Sequence, residues 1–571
     1  MSHRENYEKW RQSLLVDRAT KEELAAIEND PKEIEGRFSA MLDFGTAGLR
    51  GIMRAGLNGI NVYTIRYATQ GLANVINQCG EDIGGGVTIA YDSRHQSDIF
   101  AWEAASVLTA NGIHVNIFDQ LRPTPELSFA LRETNSIAGI NITASHNPKE
   151  YNGYKVYWSD GAQLPPEHAA KISRQISQLD IFDDVRTISL IEARNRGLIT
   201  DLGQEMDEKY MEKVLEQSVA GDYVEKAADD LAIIFTPFHG SGYKLVPEVL
   251  RRLGMKHVLT VEEQMVIDGD FPTVDSPNPE NKEGFAIAME MAQKHNIDLM
   301  IGTDPDGDRC GIVVRNGNDF ESLTGNQIGI LLLDHLISMG QEKGTLAANC
   351  AVVKSVVSSP MANRICQYHN ITLFETLTGF KYIGEKIKEF EASKEYTYLF
   401  GFEESCGYLT GTYARDKDAV LASMLIAEMA CRYYTQGKNL YQALEDLYQK
   451  YGYYKEEVVS YTVEGFDGPS KITAIMDNLQ TNPPVELGLP VVALRDYTKG
   501  TITDADGKEI GSDLPYSNML FFQLEHQCRA VFRPSGTEPK LKFYIMTQGN
   551  TKEEAERRAK AIKDAGKKYL Q

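Results

Sequence analysis

The sequence lacks any apolar stretch that could span a lipid bilayer. Its longest strongly apolar run, residues 328–333, has the length of a core segment, whereas a transmembrane helix needs about 20 such residues. Residues 1–7 are polar and do not form the apolar region of a signal peptide. We therefore expect a cytoplasmic protein that does not associate with membranes.

Paired cysteines and an excess of positive charge are also missing. Seven cysteines are scattered from Cys79 to Cys528 without a C-x-x-C pair, and their odd number argues against a disulfide framework. This usage indicates the reducing cytosol. The 59 Lys and Arg residues are outnumbered by 81 Asp and Glu residues, which gives a net charge of −22. Such a balance disfavours nucleic acids and anionic membranes as partners, but a small anionic substrate is compatible with it if basic residues gather in one cleft.

Common nucleotide-binding and hydrolase motifs are absent as well. The sequence contains no G-x-x-x-x-G-K-[ST] and no G-x-S-x-G, and Gly240-Ser241-Gly242 lacks the third glycine of a dinucleotide fingerprint. A nucleotide therefore has no recognisable site as a phosphoryl donor. Any phosphoryl transfer has to start from a phosphate that is already on the enzyme or on the substrate.

What the sequence does contain is a repeated alternation of strands and helices. A chain of 571 residues exceeds what one hydrophobic core can support, and about three to five domains are expected. Apolar runs at residues 87–91 and 114–118 flank a helical pattern at 100–111, which predicts a mixed or parallel sheet covered by helices. The pattern recurs with predicted strands at 231–235, 299–301 and 351–353 and predicted helices at 245–253, 327–339 and 419–434.

The two ends of the chain differ from this pattern. The first forty residues are predicted to be helical, with one apolar face formed by Trp10, Leu14, Leu15, Leu24 and Ile27. From about residue 454 strands dominate, and Asp506-Gly507 is a hairpin signal. The predicted fold class is α/β, with three similar mixed-sheet α/β domains plus a C-terminal α+β domain. The predicted domain ranges are 1–210, 211–325, 326–452 and 453–571.

The first loop whose side chains could take part in catalysis is TASHNPKEYNGY, residues 143–154, which follows a predicted strand. The end of a strand is where α/β sheets place ligands. The Ser145 hydroxyl can carry a phosphoryl group there, and His146 or Lys155 can manage protons and charge. On its own, the loop fits a polar turn that caps a helix equally well.

A second loop places three carboxylates at alternate positions after a predicted strand. These are Asp304, Asp306 and Asp308, and Pro305 and Gly307 bend the chain between them. The loop does not fit an EF-hand, which needs a glycine at its sixth position and a glutamate at its twelfth. Three carboxylates leave coordination positions open, which suits magnesium shared with a phosphate oxygen. The alternative is a solvated acidic turn, which is our interpretation of residues 504–507.

The third loop, GFEESCG at residues 401–407, also follows an apolar run. Glu403 and Ser405 offer a carboxylate and a hydroxyl two residues apart, which suits recognition of neighbouring sugar hydroxyls. Glutamates are also common at the start of helices, so this loop alone does not predict a sugar site.

The fourth loop, RPSGTEPK at residues 533–540, lies between two predicted strands. An arginine, two hydroxyls, a glycine that lets the backbone turn and a lysine suit a phosphate group. The alternative is a β-turn with incidental charge. The candidate phosphate ligands are Arg533, Ser535, Gly536, Thr537 and Lys540.

Together and in this order, the four loops resemble those of the α-D-phosphohexomutase superfamily, which contains the phosphoglucomutases and phosphomannomutases. The resemblance covers nearly the whole chain and implies four domains around a central cleft. It implies that Ser145 carries the phosphoryl group and, with Asp304, Asp306 and Asp308, holds one Mg²⁺ per subunit. It further implies that Glu403 and Ser405 bind the sugar and that residues 533–540 bind phosphate.

Further segments match the same superfamily. Residues 44–50, FGTAGLR, contain Arg50, which lies near the phosphoserine in the family, and Ala47 stands where serine is common. Residues 378–381 contain Lys381 of the sugar region. Residues 91–94, 122–125 and 152–155 match as well.

The resemblance implies a mutase that converts glucose 1-phosphate and glucose 6-phosphate into each other. Glucose 1,6-bisphosphate is the implied intermediate and activator. The sugar loop reads FEES rather than the GEMS that is common in phosphomannomutases, which favours glucose. The alternatives are a phosphomannomutase, a phosphopentomutase, a bisphosphate synthase and a non-catalytic phosphosugar-binding protein. The last would be expected to have lost Ser145 or a metal carboxylate, and all four are present.

Four side chains are candidates for proton transfer and for neutralising charge in the transition state: Arg50, His146, Lys155 and Arg309. His146 and Lys155 flank the serine loop and are the first candidates for the general base. The phosphate loop is expected to hold the phosphate that is not reacting, while the C-terminal domain closes over the substrate.

Overall fold

The computed structural model describes residues 2–45, 48–462, 468–535 and 540–570. Within these ranges the chain forms four sheets in succession, the first three covered by helices. This arrangement confirms the predicted fold class. No helix in the described ranges has the length and apolar character needed to cross a membrane.

The first unit joins three short helices to a six-stranded mixed sheet. Its elements are α1 (His3–Gln12), α2 (Arg18–Ala26), α3 (Pro31–Phe38), β1 (Leu49–Ile52), α4 (Val62–Gln78), β2 (Val87–Tyr91), α5 (Ser97–Ala110), β3 (Val115–Phe118), α6 (Thr124–Glu133), β4 (Ala138–Ile142), β5 (Tyr151–Trp158), α7 (Pro166–Ile176), α8 (Leu190–Asn195), β6 (Ile199–Leu202) and α9 (Gln204–Leu215). The strand order is β1-β5-β4-β2-β3-β6, with β2, β3, β4 and β6 parallel and β1 and β5 antiparallel to their neighbours. The central strand β2 is mostly apolar, and it is buried at every position because helices cover both faces of the sheet.

The second and third units repeat this plan with smaller sheets. The second contains α10 (Gly221–Ala227), β7 (Ala232–Thr236), α11 (Gly242–Leu253), β8 (His257–Thr260), α12 (Glu262–Met265), α13 (Ala286–His295), β9 (Leu299–Thr303), β10 (Cys310–Asn316) and β11 (Asp319–Leu323). The third contains α14 (Gly325–Lys343), β12 (Cys350–Ser355), α15 (Met361–His369), β13 (Thr372–Thr376), α16 (Phe380–Ser393), β14 (Thr397–Glu403), β15 (Gly407–Leu409), α17 (Ala419–Tyr434) and α18 (Leu440–Tyr451). The sheet orders are β11-β10-β9-β7-β8 and β13-β12-β14-β15.

The fourth unit is a seven-stranded antiparallel sheet with two helices. It contains β16 (Tyr453–Thr462), α19 (Gly468–Thr481), β17 (Val491–Asp496), β18 (Thr501–Asp504), β19 (Glu509–Ser512), β20 (Leu520–Leu524), β21 (Arg529–Pro534), β22 (Lys540–Gly549) and α20 (Lys552–Gly566). The strand order is β16-β22-β21-β20-β17-β18-β19. The predicted hairpin is present, because β18 and β19 pair on either side of Asp506-Gly507, where Gly507 has φ of 77°.

Helix α17 ties the first three units together. It is predominantly apolar and is buried along nearly its whole length, which is typical of a helix inside a core. One hydrophobic cluster joins it to α6 of the first unit and α11 of the second. The predicted domain boundaries stay predictions, and the first of them, after residue 210, falls inside α9.

The predicted apolar face of the N-terminal helices is partly wrong. Trp10 and Leu24 are buried in the hydrophobic cluster of the first unit, as expected, but Leu14 is 96% exposed and Leu15 is 60% exposed. Helix α1 ends at Gln12 and α2 begins only after Asp17, whose carboxylate caps it by accepting a hydrogen bond from Thr20 N. The helical spacing that placed Leu14 beside Trp10 therefore does not continue through this turn.

This difference in burial predicts different costs for two alanine substitutions. Leu24→Ala removes a fully buried side chain and is expected to lower the free energy of unfolding by about 2–5 kcal/mol. Leu14→Ala, the matched control, is expected to change it by less than about 0.5 kcal/mol. Urea unfolding followed by tryptophan fluorescence measures both values, and similar values for the two variants would contradict the described packing of the N-terminal helices.

Candidate active site

The loop that carries Ser145 leaves the carboxyl end of β4 in a constrained conformation. Ser145 is almost fully buried and has φ of 52°, a left-handed value that is uncommon for a side chain other than glycine. Its backbone N–H donates a hydrogen bond to Thr143 Oγ1 at 2.8 Å. Strain of this kind clusters at functional sites, and here it presents the serine hydroxyl to the neighbouring unit.

Arg94 holds the backbone of this loop in place. Its buried guanidinium donates hydrogen bonds to the carbonyl oxygens of Ser145 at 2.6 Å, Pro148 at 2.8 Å and Tyr151 at 3.0 Å. Asp92 lies 3.3 Å from Arg94 Nε and balances its charge. The sequence singled out residues 91–94 only as a family match, because nothing in their spacing shows that Arg94 reaches a loop fifty residues away.

The Ser145 hydroxyl lies between a carboxylate and an imidazole. Its Oγ donates a hydrogen bond to Asp304 Oδ2 at 2.9 Å and lies 3.1 Å from His146 Nδ1. Burial, together with Arg309 and Arg50, holds the pKa of His146 well below its usual range. The imidazole is therefore neutral at neutral pH, and a neutral imidazole can exchange a proton with a nearby oxygen.

The three predicted metal carboxylates converge at the end of β9. One oxygen of each of Asp304, Asp306 and Asp308 lies within 4.8 Å of the others, and all three side chains are buried. Gly307, at φ of 63°, provides the turn, and Asp304 Oδ1 accepts hydrogen bonds from the backbone N–H groups of Asp308 and Arg309. Oδ1 of both Asp306 and Asp308 is buried without a hydrogen-bond partner in the described structure.

The pKa values of these aspartates indicate that the buried cluster carries more negative charge than its surroundings compensate. Burial, reinforced by Asp306 and Asp308, raises the pKa of Asp304 well above its usual range. Burial and Asp306 also raise the pKa of Asp308. Burial opposes ionisation of Asp306 as well, but Lys155, Asp304 and Lys417 together outweigh it and lower the pKa of Asp306. Buried carboxylate oxygens without partners are costly unless a cation compensates them. The cluster therefore fits a metal ion with oxygen ligands.

Two buried lysines flank the aspartates. Lys155 Nζ lies 2.7 Å from Asp306 Oδ2 and 3.6 Å from Asp308 Oδ2. Burial alone would lower the pKa of Lys155, but Asp306 and Asp308 reverse this effect and raise it. Lys417 Nζ lies 2.9 Å from Asp308 Oδ2 and 3.1 Å from Asp416 Oδ1. Both lysines are therefore held as cations beside the cluster.

Lys417 is a site residue that the sequence did not single out. It belongs to Arg415-Asp416-Lys417-Asp418, a charged run that precedes the apolar helix α17 and resembles an ordinary solvated boundary. The packing of α17 buries this run. The Lys417 side chain passes Gly407 of the sugar loop, where an added Cβ would lie 2.2 Å from Lys417 Cδ. The sequence feature that could have identified Lys417 is this alternation of charges directly before a predominantly apolar helix.

Replacing Lys417 is expected to damage both stability and activity. Lys417→Met leaves Asp308 and Asp416 without this partner, and loss of one member of a buried ion pair costs about 3–5 kcal/mol. We expect kcat/KM to fall at least about 100-fold, because the site also loses a fixed positive charge.

The matched control is Lys438→Met, which removes an exposed ion pair with Asp446 and is expected to cost about 0–1 kcal/mol. Urea unfolding and steady-state kinetics measure both variants. Equal effects in the two variants would contradict the role of Lys417.

The predicted sugar loop lies at the end of β14, next to Lys417. Glu403 is buried, and its Oε1 accepts a hydrogen bond from the backbone N–H of Gly379 at 2.6 Å. Burial and the neighbouring Glu404 raise the pKa of Glu403 to about 7. Ser405 is half-buried in the same turn. Lys381, two residues beyond Gly379, is half-buried, and burial lowers its pKa.

Two further predicted arginines reach the same region. Arg50 lies on β1, opposite Gly153 of β5, and its Nη1 donates a hydrogen bond to Asn147 Oδ1 of the serine loop at 3.2 Å. Arg309 follows the aspartates directly, and its Nη1 lies 3.1 Å from Glu280 Oε1. Arg50 therefore contacts the serine loop, and Arg309 directly follows the aspartates of the metal loop.

The predicted phosphate loop connects β21 and β22. Arg533 lies on β21, and Ser535 N donates a hydrogen bond to Lys540 O at 2.7 Å, which closes the described part of the loop. Gly536 and Thr537 lie outside the described residues. Tyr382 of α16 packs against a hydrophobic cluster that includes Tyr544 of β22, and Arg533 opposes the rise in the pKa of Tyr382 that burial and Glu385 cause. This part of the fourth unit therefore faces the sugar region of the third.

Comparisons with known proteins identify the family of the first three units. Models of the α/β/α domains I, II and III of phosphoglucomutase/phosphomannomutase match residues 41–181, 208–317 and 324–451. The phosphoglucomutase of Staphylococcus aureus strain USA300 is 38% identical over 538 residues, which cover 93% of this chain and 94% of that protein. That of strain N315 is 37% identical over the same length.

Solved structures share the fold at low sequence identity. The open form of the Paramecium phosphoprotein parafusin, a phosphoglucomutase, superposes with a TM-score of 0.67 at 17% identity, covering 92% of this chain and 94% of that one. A phosphoglucomutase/phosphomannomutase family protein from Burkholderia thailandensis gives 0.65 at 16% identity, covering 92% and 96%. With its three domain matches and its relatives along almost its full length, the chain belongs to the phosphoglucomutase/phosphomannomutase family.

Proposed function

We propose that this protein is a phosphoglucomutase that interconverts glucose 1-phosphate and glucose 6-phosphate through phosphorylated Ser145 and glucose 1,6-bisphosphate. The observation that carries the proposal is the position of the Ser145 hydroxyl, 2.9 Å from Asp304 of the carboxylate cluster and 3.1 Å from a neutral His146. The Staphylococcus aureus relatives bear the name phosphoglucomutase, which supports glucose as the sugar. We also propose that the reaction takes place in the cytosol, where the seven cysteines, all free thiols, stay reduced.

The first transfer would move the phosphoryl group from Ser145 to the free hydroxyl of the bound sugar phosphate. The bond between Ser145 Oγ and phosphorus breaks, and a bond between the sugar oxygen and phosphorus forms. The sugar hydroxyl loses a proton and Ser145 Oγ gains one, so the step is balanced. His146 Nδ1 is placed to exchange the proton on the serine side, while Lys155 and Lys417 offset negative charge.

The metal site would take Mg²⁺, held by Asp304, Asp306 and Asp308 with phosphorylated Ser145 as a further ligand. Carboxylate oxygens are the ligands that Mg²⁺ prefers, and the unpartnered Oδ1 atoms of Asp306 and Asp308 are available for it. Bound there, Mg²⁺ would act as a Lewis acid that polarises phosphoryl oxygens and neutralises their charge.

The substrate would lie between this cluster and the fourth unit. Glu403 and Ser405 would recognise sugar hydroxyls, with Lys381 beside them, and the residues of the phosphate loop would hold the phosphate that is not reacting. Binding energy from that remote phosphate supports the reaction at the other end of the sugar. The bisphosphate then has to reverse its orientation in the site, so that its second phosphate can be transferred to Ser145.

Substitution of the phosphate-loop arginine tests its part in the proposal. Arg533→Ala is expected to raise KM for glucose 1-phosphate by about 10- to 100-fold, because a charge-assisted hydrogen bond contributes about 1.5–3 kcal/mol. Arg495→Ala, a control on β17 of the same sheet, removes a guanidinium that stacks on Phe521 and should leave KM unchanged. An unchanged KM in Arg533→Ala would remove the loop from the substrate site.

A coupled assay that detects glucose 6-phosphate tests the proposed activity itself. With glucose 1-phosphate, Mg²⁺ and a trace of glucose 1,6-bisphosphate, we expect turnover that falls strongly when either Mg²⁺ or the bisphosphate is omitted. Matched assays with mannose 1-phosphate and ribose 1-phosphate compare kcat/KM among the sugars. A higher kcat/KM for mannose or ribose phosphate would assign the chain to a phosphomannomutase or a phosphopentomutase instead.

A further inference from the structure

A large polar cavity lies at the junction of the third and fourth units, away from the candidate active site. Its volume is about 780 Å³, and it is bordered by α15, the end of α18, the turn between β20 and β21, and α20. The length of β22 separates the cavity from the phosphate loop, because the strand begins at that loop with Lys540 and ends at the cavity with Gly549. Ten extended residues span about 30 Å, so the two sites are separate.

The described residues that line this cavity include no aspartate or glutamate. Asp and Glu account for 81 of the 571 residues of the chain, so a lining of this size would on average contain about two of them. The charged and titratable side chains are instead Arg364, Arg529, Arg558 and His526, and most of the other polar groups are amides and tyrosines. In a protein with a net charge of −22, this composition favours an anionic ligand that also offers hydrogen-bonding groups.

Two of the arginines are held in place by carboxylates outside the lining. Arg529 Nη1 lies 3.0 Å from Glu375 Oε1, and Arg558 Nη2 lies 2.8 Å from Glu554 Oε1. Both arginine side chains are largely buried, at 16% and 14% exposure. A guanidinium has five N–H donors in a rigid fork, so donors are left for a ligand and their positions are fixed in advance.

The third arginine of the lining belongs to the third unit. Arg364 lies on α15 of the third unit, and its Nη1 makes only a long hydrogen bond of 3.4 Å to Gln367 Oε1. It forms no salt bridge within the described ranges of the chain. A ligand that reached Arg364, Arg529 and Arg558 together would therefore contact both the third and the fourth units.

The turn between β20 and β21 gives an independent indication. His526 and Gln527 have φ of 56° and 58°, and Cys528 N donates a hydrogen bond to Glu525 O across them at 3.2 Å. A two-residue turn of this kind favours Asn-Gly, because both positions are left-handed. Here both positions keep larger polar side chains that line the cavity, and residues held in this way cluster at ligand sites.

We propose that this cavity binds a small phosphorylated ligand at a site distinct from the candidate active site. Phosphate oxygens match the bidentate geometry of arginine, and the surrounding amides and tyrosines can bind hydroxyl or phosphate oxygens. The three arginines and His526 hold the phosphate groups, and the ligand bridges the third and fourth units.

Isothermal titration with inorganic pyrophosphate, a simple polyanionic probe, tests the site in the full chain. Arg364→Gln is expected to weaken pyrophosphate binding about tenfold or more, since it removes a charge-assisted contact. Arg557→Gln, an exposed neighbour of Arg558 on α20 that lies outside the cavity, should bind like the unmodified protein. Arg533→Ala, in the phosphate loop, should also keep this binding event.

His526→Asn provides a second variant that preserves the fold, because asparagine favours the left-handed turn. It is expected to weaken pyrophosphate binding without lowering the Tm. The proposal would be overturned if pyrophosphate does not bind, or if Arg364→Gln binds it as tightly as Arg557→Gln. It would also be overturned if Arg533→Ala alone weakens binding, since the pyrophosphate would then lie in the active site.

Discussion

Ser145→Ala is expected to abolish mutase activity, with kcat falling by at least about 10⁴-fold. Removal of a covalent nucleophile eliminates the route through the enzyme-bound intermediate, and comparable losses of 10⁴- to 10⁶-fold are known for other covalent catalysts. The substitution removes one hydroxyl from a loop that Arg94 and Thr143 continue to hold by backbone contacts. We therefore expect a folded protein with little change in Tm. Steady-state kinetics and intact-mass analysis together measure the loss of turnover and of the phosphorylated form.

Ser276→Ala is the matched control for this variant. Ser276 Oγ lies 3.4 Å from the carbonyl oxygen of His146, so the substitution removes a hydroxyl close to the same loop without touching the proposed nucleophile. It should keep kcat within a few-fold and retain the phosphorylated form. Full activity in Ser145→Ala, or equal losses in both variants, would contradict covalent transfer through Ser145.

Asp306→Asn is expected to impair metal binding and turnover together. Asp306 is fully buried, its Oδ1 has no hydrogen-bond partner, and its Oδ2 accepts from Lys155 Nζ at 2.7 Å and from Thr124 Oγ1 at 3.0 Å. An amide keeps the shape of the side chain but removes the negative charge that a divalent cation requires. We expect the Kd for Mg²⁺ to rise at least about 100-fold, since even residues behind the metal ligands alter affinity by about 10- to 100-fold.

The hairpin of the fourth unit provides a control with a similar sequence. Asp504-Ala505-Asp506-Gly507 repeats the Asp-x-Asp-Gly pattern but forms an exposed turn, as its sequence predicted. Asp506→Asn should leave both Mg²⁺ binding and kcat unchanged. Calorimetric titration with Mg²⁺ and kinetics at varied Mg²⁺ measure the two variants. A normal Kd in Asp306→Asn would show that the cluster is not the metal site.

Much of the fold could be predicted because its signals are local. Strands such as β2 are mostly apolar runs, the hairpin at Asp506-Gly507 depends on adjacent residues, and α17 is predominantly apolar. The prediction was wrong where the helical spacing of apolar residues was continued beyond the end of a helix. Leu14 and Leu15 fit a helical face in the sequence, but the chain leaves the helix after Gln12.

The site was predictable only in part, for a different physical reason. Strand ends identified the loops of Ser145 and of the aspartates, but the contact between Ser145 and Asp304 joins residues 159 positions apart and depends on how two units pack. Lys417 was missed because α17 buries a charged run that would be solvated elsewhere. Arg94 was noticed only as part of a family match, since its hydrogen bonds to the serine loop are formed by tertiary packing.

Transfer of a radiolabelled phosphoryl group is the most direct test of covalent transfer through Ser145. The protein is incubated with glucose 1,6-bisphosphate that carries labelled phosphate, the free ligand is removed, and the labelled peptide is identified after proteolysis. We expect the label to lie on Ser145, and we expect added unlabelled glucose 1-phosphate to remove it as sugar bisphosphate. Label on another residue, or label on Ser145 that the sugar phosphate cannot remove, would contradict this transfer.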